Sequence, residues 1–139
     1  MNIAIIAENS KKELMVQFCI AYCGILSKHN IFATRTTGKV VADATGLDVI
    51  CLLPGVGGDE QIAARCAYNE IDLVLMLRDP MVEYSQTPHH NEIIRSCDMQ
   101  MIPVATNLAA AEVLVRALDR GDLDWREIVN PTLKDGKKK

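Results

Sequence analysis

Val49-Ile50-Cys51-Leu52-Leu53 runs directly into Pro54-Gly55-Val56-Gly57-Gly58-Asp59-Glu60-Gln61, and Ile62-Ala63-Ala64-Arg65-Cys66-Ala67 follows. The first piece has the length and apolar content of a buried strand, and the last reads as a helix. Three glycines therefore sit between strand and helix. Glycine lets the backbone take positive φ and approach a ligand closely, and a helix start offers unpaired N–H groups and partial positive charge to an anion. Asp59 stands beside that anion site, which suggests chemistry on a small phosphorylated or carboxylated molecule. The plainer alternative is a tight turn in which Asp59 only caps the helix, since glycine-rich strand-to-helix turns are common in α/β proteins.

The same alternation extends in both directions. Asn2 to Ala7 reads as a buried first strand, and apolar residues at Leu14, Phe18, Ala21, Tyr22 and Ile25 predict an amphipathic helix from Lys11 to Lys28. Ile31-Phe32-Ala33 is a short second strand. The polar stretch Thr34-Arg35-Thr36-Thr37-Gly38 reads as a turn before a helical piece from Lys39 to Thr45. Asp48 to Leu53 is the third strand and Asp72 to Leu77 the fourth. A segment holding Tyr84 to Pro88 precedes a helix from about His89 to Cys97. Met101 to Ala105 is the fifth strand, and Thr106-Asn107 caps a helix from Leu108 to about Leu118. Beyond it the chain is polar, with Trp125 as its expected apolar anchor in a loosely packed end.

Strands alternating with helices imply right-handed crossovers, so the expected fold is a single α/β domain of Rossmann-like type, a five-stranded parallel sheet flanked by helices. A length of 139 residues suits one such domain with a real core. No apolar run approaches the roughly 20 residues that span a bilayer, and Met1-Asn2-Ile3 lacks a signal peptide's basic flank, so a cytoplasmic protein is expected. The formal charge of −3 argues against a nucleic-acid partner. Lys137-Lys138-Lys139 reads as a solvated end rather than a binding arm. None of the five cysteines has C-x-x-C spacing, and Cys19 and Cys23 have no histidine or carboxylate at matching spacing. Reduced thiols and no metal site are the expectation.

Ligands of such sheets bind at the carboxyl ends of the strands. Each predicted strand here ends in polar or glycine-rich residues: Glu8-Asn9, Thr34 to Gly38, Pro54 to Asp59, Arg78-Asp79 and Thr106-Asn107. The hydroxyls of Thr34, Thr36 and Thr37 can satisfy phosphate oxygens, and Lys12 can reach the same rim as a point charge. Asp79, at a strand end before Pro80, has the alternative of fixing a turn through its own backbone.

In these motifs the chain resembles the methylglyoxal synthase family. The matching pieces are Thr34-Arg35-Thr36-Thr37-Gly38, Gly57-Gly58-Asp59-Glu60-Gln61, Leu77-Arg78-Asp79-Pro80 and Ile102-Pro103-Val104-Ala105-Thr106-Asn107, in the family's order and nearly its spacing. The resemblance implies conversion of dihydroxyacetone phosphate to methylglyoxal and inorganic phosphate without a cofactor, by a homohexamer. It also implies roles. Asp59 resembles the catalytic base that takes a proton from the substrate's hydroxymethyl carbon, and like charge from a bound phosphate makes a carboxylate a better base for this. Lys12, Thr34, Thr36, Thr37 and the backbone around Gly55 resemble the phosphate cradle. Asp79 resembles a second site aspartate that holds the site in shape.

The chain also departs from the family pattern. Glu8-Asn9 stands where the family reads His-Asp, Pro54 where a serine begins the glycine loop, and Arg35 where a glycine is usual. The family's proton-shuttling histidine falls on Gln86 in an ungapped alignment, and on His89 after a slide of three residues. Both placements stay open at the level of sequence. Two functions follow: a methylglyoxal synthase in which His89 or Gln86 polarises the carbonyl, or a diverged relative that binds phosphate or a phosphorylated metabolite without eliminating it.

Overall fold

The computed structural model describes residues 1–129, the Tyr84 side chain excepted, and the basic end Lys137-Lys138-Lys139 lies outside the described residues. Five parallel strands form one sheet: β1 Asn2–Ala7, β2 Asn30–Thr34, β3 Val49–Leu52, β4 Leu73–Leu77 and β5 Val104–Ala105. Their spatial order is β3-β2-β1-β4-β5. Among the described residues the α-helices are α1 Lys12–Ala21, α2 Cys23–Leu26, α3 Arg35–Thr45, α4 Gly55–Ala67, α5 Pro88–Gln100, α6 Leu108–Asp119 and α7 Arg126–Val129.

Alternation along the strands sorts the core into two layers. Ile3, Ile5, Ile31, Leu73 and Leu75 face one side, where Met15, Phe18, Val41, Ala111 and Val115 of α1, α3 and α6 cover them. Ala4, Ile6, Phe32, Val74 and Met76 face the other, beneath Ile62 and Cys66 of α4 and Ile93 and Cys97 of α5. A sheet covered on both faces explains why β1 and β4 read as continuous apolar runs rather than alternating ones. Cys19, Cys66 and Cys97 are buried among these side chains, and Cys51 is exposed on edge strand β3.

Five boundaries differ from the sequence expectation. The polar stretch after β2 is the first turn of α3 rather than a separate turn, and the glycines after β3 are the first turn of α4. The expected long first helix breaks at Tyr22, which leaves helical geometry at φ −108°, ψ 21°. Helix α5 runs on to Gln100 and ends where Met101 takes left-handed φ of 56°, so β5 starts later than expected. The last correction concerns the polar end. Trp125 is 40% exposed, whereas Leu123 and Arg126 are buried. The Arg126 guanidinium donates to Asp72 Oδ1 at 3.0 Å and to the carbonyl of Met101 at 3.0 Å, and the Asn2 amide donates to Asp72 Oδ2 at 2.8 Å. A buried ion pair at the amino ends of β1 and β4 thus fastens the chain after α6.

Candidate active site

Chain order runs outward from β1 through β2 to β3 on one side and from β4 to β5 on the other, so β1 and β4 flank the switch point of the sheet. The two strand ends part there and leave a crevice, the usual ligand position in open parallel sheets. Here that crevice is a cavity of about 500 Å³. Glu8, Asn9 and Ser10 line it from the end of β1, Lys12 from α1, Thr34 and Thr36 from the start of α3, and Gly55 and Asp59 from α4. Asp79 and Val82 follow β4, and Thr87 and His90 come from the start of α5.

The backbone at the start of α4 depends on glycine at two places. Gly55 has φ of 61°, which L side chains rarely adopt, and it lets the chain turn from the extended Pro54 into the helix. At Gly58 a Cβ would stand 2.0 Å from the Leu53 carbonyl oxygen and 2.7 Å from Thr34 Cγ2. Only glycine lets α4 pack this closely on the end of β2. Helices α3 and α4 therefore start side by side, and neither N-cap side chain, Thr34 nor Pro54, bonds a first-turn amide. Two adjacent helix N-termini direct partial positive charge toward one point.

Lys12 adds a full charge there. Its Nζ donates to the Ala7 carbonyl at 3.1 Å and to Thr37 Oγ1 at 3.2 Å. Burial pulls its pKa below the ordinary lysine value, and the nearby Asp59 charge only partly opposes this.

The acidic side of the cavity is built from three elements. Asp59 Oδ2 lies 3.3 Å from His90 Nε2, and His90 Nδ1 lies 3.9 Å from Glu8 Oε1. Glu8 Oε2 in turn accepts from the Asp79 amide. The Asp79 carboxylate itself is occupied: Oδ2 accepts from Ser10 Oγ at 2.7 Å and Oδ1 from the Met81 amide at 2.9 Å. Those two bonds, the serine's first, hold its pKa below the usual carboxylate range. Asp79 thus ties the end of β1 to the turn after β4.

Of the residues singled out in the sequence, Glu8, Lys12, Thr34, Thr36, Gly55, Asp59 and Asp79 come together around this cavity. Thr37, Gln86 and His89 are not among its lining residues. Thr37 is buried, and its hydroxyl is turned on Lys12. Gln86 is exposed in a short 3-10 turn. Helix α5 begins at Pro88 and buries Ile93 and Cys97, and from its first turn it is His90 that lines the cavity. His90 was not singled out by the motif comparison. Among the described residues, no group of three His, Cys, Asp or Glu side chains is arranged to hold a metal, and no helix is long and apolar enough to cross a membrane.

Known proteins share this chain's pattern throughout. Residues 15–106 match the MGS-like domain family. A methylglyoxal synthase of Caldicellulosiruptor saccharolyticus is 58% identical over 138 residues, 99% of this chain and 98% of that protein. A methylglyoxal synthase of Clostridioides difficile is 47% identical over 129 residues, 92% of this chain and 94% of its own length. Among solved structures, the methylglyoxal synthase of Elizabethkingia anophelis superposes with a TM-score of 0.74 at 34% identity, over 82% of this chain and 76% of that one. With the switch-point cavity, the paired helix starts and near full-length identity to such relatives, this chain belongs to the methylglyoxal synthase family.

Proposed function

We propose that this protein is a methylglyoxal synthase, a carbon–oxygen lyase that eliminates phosphate from dihydroxyacetone phosphate. The observation that carries the reading is that the Asp59 carboxylate, Lys12 and the starts of α3 and α4 line one cavity. The cradle of Lys12, Thr34, Thr36 and Gly55 holds the phosphate. Asp59 takes the proton from the hydroxymethyl carbon, and the C–H electron pair becomes the double bond of an enediolate. The enediolate hydroxyl on the former hydroxymethyl carbon then loses its proton and becomes a carbonyl, the C=C pair moves to the phosphate-bearing carbon, and phosphate leaves with the electron pair of its C–O bond. The enol left behind takes up a proton at that carbon to give methylglyoxal. Asp79 keeps the rim in shape through Ser10 and Met81. No cofactor enters these steps. On the same reading the protein works in the cytoplasm as a homohexamer, with dihydroxyacetone phosphate and phosphate as its ligands.

The test is incubation with dihydroxyacetone phosphate and measurement of methylglyoxal and released phosphate, which should appear in equal amounts. A rate at background retires the enzyme. It would leave the second reading, a phosphate-binding relative without the elimination, which Asn9 and the exposed Gln86 favour because neither can act as an acid or base.

Lys12→Met should weaken phosphate binding by about tenfold or more, the size expected for losing a charge-assisted hydrogen bond. The pH dependence has a fixed sign. Because burial lowers the pKa of Lys12, its charge is lost at a lower pH than that of an exposed lysine. Phosphate affinity should therefore fall as pH rises through that lowered value, and the fall should be missing from Lys12→Met. Titration calorimetry in alkaline buffers measures both.

A further inference from the structure

Three carboxylates, Glu8, Asp59 and Asp79, line the cavity against one ammonium, Lys12. Such a balance opposes the entry of an anion. His90 changes it: its side chain is 12% exposed and lies between two of the three acids. A neutral imidazole carries one N–H, so it can serve Asp59 or Glu8 but must turn a lone pair toward the other. The imidazolium presents an N–H to each. Nδ1 is buried and has no hydrogen-bond partner, and the Glu8 carboxylate lies 3.9 Å from it. A buried polar atom in that position is accounted for when it carries a proton and pairs with the acid.

We propose that His90 is a charge-balancing, positioning residue whose protonation admits the phosphate-bearing ligand, so that anion binding takes up a proton. Anchoring Asp59 through Oδ2 leaves its other oxygen for the substrate. The proposal rests on the phosphate-binding reading of the cavity and does not require turnover. The charged groups around the imidazole are Glu8 at the end of β1, Asp59 on α4, Lys12 on α1 and Asp79 after β4. Arg78, whose guanidinium donates to Thr87 and Asn91 at 3.3 Å each, flanks the start of α5. Of these side-chain types only histidine ordinarily changes charge between pH 5.5 and 8. Linkage then requires that the anion favour the imidazolium by the same factor as the imidazolium favours the anion, typically about 5–150-fold.

Sulfate is the probe, because its charge is constant over this range. Its dissociation constant for the full chain should rise about tenfold from pH 5.5 to 8. Calorimetry in buffers of different ionisation heat should detect proton uptake on binding near neutrality. His90→Gln should bind weakly at every pH without uptake, and His90→Lys, with a permanent charge, should bind tightly with no slope. A wild-type slope retained in His90→Gln, absence of proton uptake by the wild type, or no sulfate binding at any pH would each overturn the proposal. If His90→Gln does not fold, wild-type uptake and the slope of His90→Lys still decide. Proton-linked sulfate binding without turnover of dihydroxyacetone phosphate would keep this inference and retire the enzyme reading, and turnover without proton uptake would do the reverse.

Discussion

Asp59→Asn should lower kcat for methylglyoxal formation by about 10²–10⁴-fold, the usual worth of a positioned base, while KM changes little. Asparagine has nearly the same shape and can still meet His90, so helix α4 and the cavity wall persist. What it lacks is a proton acceptor strong enough for a carbon acid. The Lys12 and helix-start contacts remain, so phosphate binding by calorimetry should survive in the variant. Paired assays of methylglyoxal and phosphate release give the rates. Wild-type and variant rates that are equal would remove Asp59 from the chemistry even if both exceeded background.

The second large effect concerns stability. Arg126→Ala should destabilise the protein by about 3–5 kcal/mol, because it strands the Asp72 carboxylate in the interior. Both side chains of the pair are fully buried. Against a total stability of about 5–15 kcal/mol, that loss is large enough to unfold part of the population at growth temperatures. Urea denaturation followed by circular dichroism measures it as a lower midpoint. Replacing both partners, as Asp72→Asn with Arg126→Met, should cost less than the single change, since no bare charge is left behind. The pair sits at the amino ends of the strands and the cavity at their carboxyl ends. The folded fraction of Arg126→Ala should therefore keep its specific activity.

The sequence carried the strands clearly because both faces of the sheet are covered, so each strand is a run of apolar residues ended by polar ones. It concealed the first turns of α3 and α4. Threonine and glycine disfavour helix when judged locally, so Arg35 to Gly38 and Gly55 to Gly58 read as turns, and the close approach of Gly58 to Thr34 is a tertiary contact that no local pattern encodes. His90 was missed for a different reason. The motif comparison weighed the family's histidine position, and helical spacing back from Ile93 and Cys97 reaches His89 and His90 alike, so only the packing of α5 at the rim separates them. The packing of the chain end was hidden as well. An arginine beyond α6 reads as solvated until the fold brings Asp72, seemingly an ordinary first residue of a strand, beneath it.

The two halves of the site belong to opposite layers. Lys12 and the threonines ride on α1 and α3, while Asp59 and His90 ride on α4 and α5, across the sheet. Grip on the guest and proton abstraction are thus drawn largely from opposite layers of the molecule, which meet at the β-strands and at the adjoining starts of α3 and α4. Slippage of one slab against the other would misalign the acid with its target carbon while leaving the grip intact, so the tightness of the central strands sets how faithfully a captured molecule is converted.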